Sequence, residues 1–258
     1  MRRPPGSGCP CRRPPPIPPA PPPARRPRDA EATQRAILDA AFIEFSDNGL
    51  SGARVDAIAA RTGTSVRMIY YYFASKDGLY RAVLERSYAT MRAAEGALGL
   101  EHLPPRDAIR TMTEFVFDYH AAEPRFARLV SIENIHRAEH IARAGAMPAT
   151  NLSVITTIAA ILARGHAQGI FRGDADPIGV HLLITGFCFF RVANRHTLGA
   201  IFGQDPLAPA LRAAHRHMAV EAVLGYLTTR PLCRSPLASS TDDRSGDAVA
   251  PHPSGAPT

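Results

Sequence analysis

From about residue 31 to about residue 228 apolar residues return at intervals of three and four, the period of a helix with one buried face. Nowhere does the chain alternate apolar and polar residues as a half-buried strand does. That periodicity limits the fold to helices packed on helices. In the first stretch Ile37, Leu38, Ala41, Phe42 and Phe45 make one stripe, and Gly49 follows as a stop. Val55, Ile58 and Ala59 face inward in a second helix, which Gly63 ends. Ser65 caps a third, held by Ile69 and Phe73, and Ser75 caps a fourth that begins at Lys76. Prolines mark the later starts. Pro104-Pro105 precede a helix over about 107–121, and Glu123-Pro124 open one reaching about 143. Pro148 opens one that closes near Gly169, Asp176-Pro177 one reaching about 199, and Asp205-Pro206 the last, about 207–228. The expectation is an all-α chain of about nine helices without an internal repeat.

Composition shifts at both ends. Residues 1–30 are rich in proline and arginine, poor in large apolar side chains, and expected to be a disordered tail, as are residues 231–258. The seven arginines before Asp29 account for the formal net charge of +7, so the body between the tails is close to neutral. Bulk charge is therefore no argument for a nucleic-acid partner; particular residues in a particular motif must supply it. No apolar run reaches the ~18 residues of a membrane span, and Arg2-Arg3 lead into proline, glycine and arginine where a signal peptide has an apolar segment. A cytoplasmic protein without a membrane partner is expected. Cys9, Cys11, Cys188 and Cys233 form neither a disulfide framework nor a zinc set, and neither a metal nor a cofactor is expected.

Residues 55–73 read helix, tight turn, helix. Small Ala59 lets two helices cross closely, Gly63 permits the turn, and Ile69 and Phe73 pin the second helix. Val66, Arg67, Tyr70 and Tyr71 are left directed outward. A helix presented in this way can enter a major groove and touch base edges with its N-terminal residues.

These residues resemble the TetR family of bacterial repressors. The resemblance lies in Phe45-Ser46-Asp47-Asn48-Gly49, Asp56-Ala57-Ile58-Ala59, Gly63-Thr64-Ser65, Ile69-Tyr70-Tyr71-Tyr72-Phe73 and Ser75-Lys76-Asp77-Gly78-Leu79. It implies a three-helix DNA-binding domain over residues 31–80. It also implies a larger helical effector-binding and dimerisation domain over 81–230, with the last two helices forming the dimer. The chain departs from the family pattern at Arg54, where Thr or Ser is usual, at Thr64, where Val is usual, and at Arg67-Met68, where Gly-Thr is common. The DNA-contacting residues expected are Arg54, Thr64, Ser65, Val66, Arg67, Tyr70, Tyr71 and Lys76. Arg67 is assigned to a guanine, through O6 and N7, and Val66 to a thymine methyl. Tyr70, Tyr71, Ser65 and Lys76 are assigned to phosphates, with packing of the tyrosines on helix 1 as the alternative and Tyr72 as the one expected mostly to pack.

Further along, Leu182-Leu183-Ile184-Thr185-Gly186-Phe187-Cys188-Phe189-Phe190 is apolar all round. A surface helix is apolar on one stripe, so this one needs a second partner, taken to be another subunit, or a place inside its own core. Leu211, Ala214, Met218, Val220, Val223, Leu224 and Leu227 likewise exceed one stripe. The effector pocket is expected from Phe115, Phe117, Tyr119, Asn134, His136, His181, Phe187 and Arg191. Glu133-x-x-His136 has the form of half a di-iron site, but a second copy is missing, and His136 with His140 stand i, i+4 as bare surface histidines or a weak metal clamp.

The function expected is sequence-specific binding to double-stranded operator DNA as a homodimer, with release by an unknown small-molecule effector. One alternative is an all-α enzyme, against which stand the missing phosphate loop, H-E-x-x-H and G-x-S-x-G. The other is an architectural DNA binder with no ligand response.

Overall fold

The computed structural model describes residues 27–144 and 147–229; most of the two tails, with Cys9, Cys11 and Cys233, lies outside the described residues. Every regular element among the described residues is helical. The order is α1 (Pro27–Gly52), α2 (Val55–Thr62), α3 (Val66–Phe73), α4 (Lys76–Gly96), a 3-10 turn (Leu100–His102), α5 (Pro105–Ala122), α6 (Pro124–Ile135), α7 (Glu139–Ala142), α8 (Met147–Ala167), α9 (Pro177–Ala193), α10 (Arg195–Phe202) and α11 (Pro209–Thr228).

Local chemistry sets most of these boundaries. Ser65 Oγ accepts from Met68 N at 3.2 Å, Ser75 Oγ from Gly78 N at 2.9 Å, and Asp176 Oδ2 from Gly179 N at 2.7 Å, so each satisfies an amide that the helix leaves without a partner. Proline stands at the start of α5, α6, α9 and α11, where a missing N–H costs nothing.

Eleven α-helices among the described residues replace the nine expected. The helix expected to reach about 143 stops at Ile135, because Arg137 and Ala138 turn left-handed at φ 57° and 58° before α7 begins. What holds this turn is Glu133. Its buried carboxylate accepts from His140 N at 2.8 Å and Ile141 N at 2.9 Å and lies 3.2 Å from His140 Nδ1. Glu133 is therefore engaged at the start of α7. His136 and His140 no longer share a continuous helix face and meet edge to face with centroids 6.0 Å apart. The helix expected to reach about 199 breaks at Asn194, and α10 follows. The last helix starts at Pro209 and not near 207, because Asp205 accepts from Leu207 N at 2.9 Å and pairs with Arg195 at 2.6 Å.

The side chains bury into two clusters. The first joins α1 to α4 through Ile37, Phe45, Ile58, Ile69, Leu79 and Tyr80, and takes Leu129 from α6. Phe45 and Tyr80 meet edge to face with centroids 5.1 Å apart. Buried Glu44 accepts from Arg54 N at 3.1 Å and so ties the start of α2 to α1. The second cluster is built from Met91, Ile109, Phe117, Ile158, Ile184 and Leu224. α4 enters both: Leu79, Tyr80, Val83 and Leu84 lie in the first and Met91 in the second.

Gly78, in the first turn of α4, allows a close approach that no other residue permits. A Cβ there would overlap the Phe73 carbonyl oxygen at the end of α3. Gly78→Ala is expected to destabilise the fold by about 1–3 kcal/mol, the usual cost of overpacking. Gly96→Ala, where a Cβ meets nothing within 4 Å, is expected to be neutral or mildly stabilising. Chemical denaturation of both variants checks this, and equal midpoints would refute the close approach.

Candidate nucleic-acid interface and internal cavity

α2 and α3 are short, and their inward faces are narrow. Val55, Ile58 and Ala59 are buried on α2 and Ile69 on α3. Gly63 caps α2 in the left-handed region (φ 62°, ψ 20°), a backbone that favours glycine, and the chain turns there into α3. Thr64 N donates to Ala59 O at 3.2 Å, which closes the turn.

The outward face of α3 carries Arg67, Tyr70 and Tyr71, spaced so that all three share one side of the helix. Arg67 is exposed and has no side-chain partner among the described residues. Tyr71 is 78% exposed and Tyr70 42%. Tyr72 is half-buried and, with Phe73, packs against the first core. The other predicted contacts are placed differently. Val66 is half-buried against the core. Ser65 spends its hydroxyl on the cap of α3, and Thr64 is half-buried in the turn. Lys76 Nζ donates to Ser51 O at 3.3 Å and so braces α4 against the end of α1. Arg54 is held in a two-point pair with Asp56, Nε–Oδ1 3.2 Å and Nη2–Oδ2 2.6 Å. That pair raises the guanidinium pKa and lowers the carboxyl's, the side-chain hydrogen bond leading in both cases.

Behind this surface lies a cavity of about 480 Å³, a size typical of small-molecule sites. Its walls come from α4 (Tyr88, Met91, Arg92), α5 (His120), α6 (Phe126, Val130), α8 (Val154, Ile155) and α9 (His181, Thr185, Phe189). The walls are mostly apolar, and several of their polar atoms have no hydrogen-bond partner: Arg92 Nε and Nη1, both ring nitrogens of His120, and Thr185 Oγ1. Buried polar atoms are normally satisfied, so this cluster makes the cavity a candidate site. Burial and then the positive charges of Arg92, Arg191 and His181 push His120 down to about 4, which keeps it neutral. His181 is lowered too, by burial and Arg92.

Of the residues expected from sequence to line a pocket, the cavity includes His181 alone. The others lie outside its lining. Arg191 is buried over the Phe117 ring, 3.5 Å from its centroid, with Nη2 donating to Phe117 O at 3.2 Å. Phe115 packs against the second core, and Tyr119 borders a separate depression with Asp39 and Arg86. Asn134 is exposed and bonds Val130 O at 2.9 Å, and His136 ends α6. Phe187 lies on the outer face of α9 against His215. Arg92 and His120 were missed because each sits in a stretch that reads as an ordinary amphipathic helix.

α9 has two apolar faces. Val180, Ile184, Cys188 and Val192 point into the core, while Leu182, Leu183, Phe187 and Phe190 stay exposed. Ile201 and Phe202 on α10 and Met218 and Tyr226 on α11 extend the exposed apolar surface. Among the described residues no single helix is long and apolar enough to cross a membrane.

Comparison with known proteins agrees with this arrangement. Residues 37–83 match the family model of bacterial regulatory proteins, tetR family, and residues 105–223 that of the tetracyclin repressor-like C-terminal domain. The chain is 34% identical over 180 residues to the HTH-type transcriptional repressor NicS of Pseudomonas putida, an alignment spanning 70% of this chain and 85% of NicS. In fold it is similar to the transcriptional regulator FadR of Bacillus subtilis, solved in complex with stearoyl-CoA (TM-score 0.58, 16% identity, 73% of this chain and 98% of that one). It is similar as well to the ketosteroid transcriptional regulator KstR2 of Mycobacterium tuberculosis (TM-score 0.57, 19% identity, 76% and 95%).

Because Asp56 occupies the Arg54 guanidinium, Asp56→Asn is expected to release it toward DNA phosphate. Binding to random duplex is then expected to tighten, with a salt dependence steeper by about one unit in the log–log plot. Fluorescence anisotropy from low to moderate salt checks this. An unchanged slope would mean that Arg54 does not reach the backbone.

Proposed function

The chain belongs to the TetR family of bacterial regulatory proteins and is a sequence-specific DNA-binding transcriptional regulator; we propose that it acts as a two-fold dimer that reads a palindromic operator through Arg67 and is released when a small molecule fills the cavity behind α6. The observation that carries the reading is the outward face of α3, where an arginine without an internal partner stands beside two exposed tyrosines on a helix fixed from behind. Arg67 pairs with guanine O6 and N7, and Tyr70 and Tyr71 hold phosphates. Lys76 and Arg54 add to the backbone contacts once their internal partners give way. The name of the Pseudomonas putida relative supports repression as the outcome.

Dimerisation uses the exposed stripe of α9 together with α11. Leu182, Phe187 and Phe190 present more apolar surface than a lone helix leaves to water, and a two-fold brings the same stripe of a second copy onto it.

Release runs through α4 and α6. α6 places Phe126 and Val130 on the cavity and Leu129 in the DNA-side core, and its Arg125 pairs with Asp47 of α1 at 3.3 Å. A ligand that displaces α4 or α6 therefore moves the base on which α2 and α3 rest. The cluster of unpaired buried polar atoms favours this over a ligand-independent architectural role.

Selection from random duplexes is expected to return a palindrome with half-sites about 34–36 Å apart, or a multiple of that. Arg67→Ala is expected to cost ~1–3 kcal/mol per bidentate contact and to relax preference at one base of each half-site. Equal weakening on every single-base variant would make Arg67 a phosphate clamp and overturn its reading role. Separately, Leu182→Glu with Phe187→Glu is expected to give monomers by sedimentation, and an intact dimer would refute the α9 interface.

A further inference from the structure

Arg92 and Glu95 sit one turn apart on α4, both nearly buried, with Nη1 and Oε2 2.8 Å apart. The geometry is that of a charge contact without a hydrogen bond. Arg92 Nε and Nη1 and both Glu95 oxygens have no hydrogen-bond partner. Arg92 faces the 480 Å³ cavity, and a smaller cavity of about 240 Å³ takes in Arg92 and Glu95 together. A guanidinium out of water with Nε and Nη1 unused is poorly matched to a carboxylate on its own helix. It is well matched to one that arrives from the cavity and meets it in its own plane.

We infer that the ligand of this cavity is a small apolar monocarboxylate whose carboxylate takes the Arg92 guanidinium in place of Glu95. The inference rests on the reading of the cavity as the effector site. The apolar body lies against Phe126, Val130, Ile155 and Phe189, and the neutral His120 ring and the Thr185 hydroxyl line the same cavity, where they donate hydrogen bonds to the carboxylate.

Charge balance selects one negative charge. Among the described lining residues Arg92 is the only group that is cationic at neutral pH, since His120 is held near 4 and His181 is lowered by burial. A bound monoanion balances Arg92 once Glu95 is neutral. A phosphate dianion would leave a buried charge unmatched, which costs several kcal/mol or more. Glu95 can become neutral, because burial, opposed by Arg92, pushes it up to about 7. Binding then takes up one proton from solvent onto the Glu95 carboxylate. Around the pair stand Tyr88 from α4, Tyr119 and His120 from α5, and His181 from α9, none of them negative at neutral pH. Glu101 of the 3-10 turn borders the smaller cavity but is exposed to water.

The sign follows. Above the Glu95 pKa the free protein must be protonated before the ligand's carboxylate is matched, so affinity falls as pH rises from 6 to 8, by about tenfold per unit once the carboxyl is ionised. Glu95→Gln removes that requirement.

The test uses the full chain with benzoate, phenylacetate, hexanoate and octanoate, each beside its primary amide, followed by calorimetry and thermal shift. At least one acid is expected to bind and raise the Tm while its amide does not. Glu95→Gln is expected to bind that acid about tenfold more tightly at pH 8 and with no pH dependence from 6 to 8. Arg92→Gln is expected to lose the preference for acid over amide. The gain in Glu95→Gln is readable even if Arg92→Gln does not fold. Amides that bind as well as acids, a panel in which no acid binds, or a Glu95→Gln variant with unchanged affinity would overturn the carboxylate assignment. Ile155→Trp, which fills the cavity, separates the two levels. Binding that survives it would overturn the cavity itself as the effector site.

Discussion

α4 is 21 residues long, so it spans about 30 Å, and its two ends are packed into different cores. Leu79, Tyr80, Val83 and Leu84 belong to the core under the helix-turn-helix, and Met91 belongs to the core around the cavity. Protein interiors are close-packed and yield little, so a helix shared in this way carries displacement from one core to the other. Tyr80 makes the joint tighter. It meets Phe45 on one side and His140 on the other, the latter at 5.0 Å between centroids, and His140 is fixed by Glu133 at the end of α6. Tyr88 and Arg92 thus share one helix with the side chains on which α3 rests.

The buried glutamates among the described residues divide into two kinds. Glu44 accepts a backbone amide, and Glu133 accepts two, with an imidazole beside it, so the fold supplies donors to each carboxylate. Arg92 and Glu95 have each other and little else, and burial lowers the pKa of the first and raises that of the second. A buried ion pair without supporting hydrogen bonds contributes little to stability, since desolvation offsets attraction. Such an arrangement borders the cavity and occurs at neither Glu44 nor Glu133, which is why the functional weight falls on α4 and not on the more numerous aromatic residues of α5.

The architecture was legible in the sequence where local chemistry decides it. The stripe on α1, the caps Ser65, Ser75 and Asp176, and the prolines of α5, α6 and α9 announce their helices, and the motif over residues 55–73 carries the family. The breaks at Arg137-Ala138 and at Asn194 were not legible, because no proline or glycine marks them and a distant carboxylate fixes the first. On the DNA side, the spacing of Arg67, Tyr70 and Tyr71 puts them on one face, while the inward turn of Val66 and the pairing of Arg54 with Asp56 depend on contacts that periodicity does not encode. The cavity was the least legible part. Five helices converge on it, and nothing local separates a histidine that lines it, His120, from one that ends α6, His136.

The cations near the reading face are largely committed elsewhere. Arg54 is paired with Asp56, Lys76 lies on the Ser51 carbonyl, and Arg61 reaches Ala40 O at 3.5 Å with Glu44 3.9 Å away. The body of the chain is close to neutral, so no broad positive field adds to them. One half-site bound by one such surface is weak, and most of the hold on an operator comes from engaging two half-sites at once, where the second contact is intramolecular. That advantage lasts only while the two α3 helices keep the spacing of the DNA. In the proposed dimer a ligand therefore need not break any contact at the interface. It has only to tilt α4 enough that both copies of Arg67 can no longer reach their bases together.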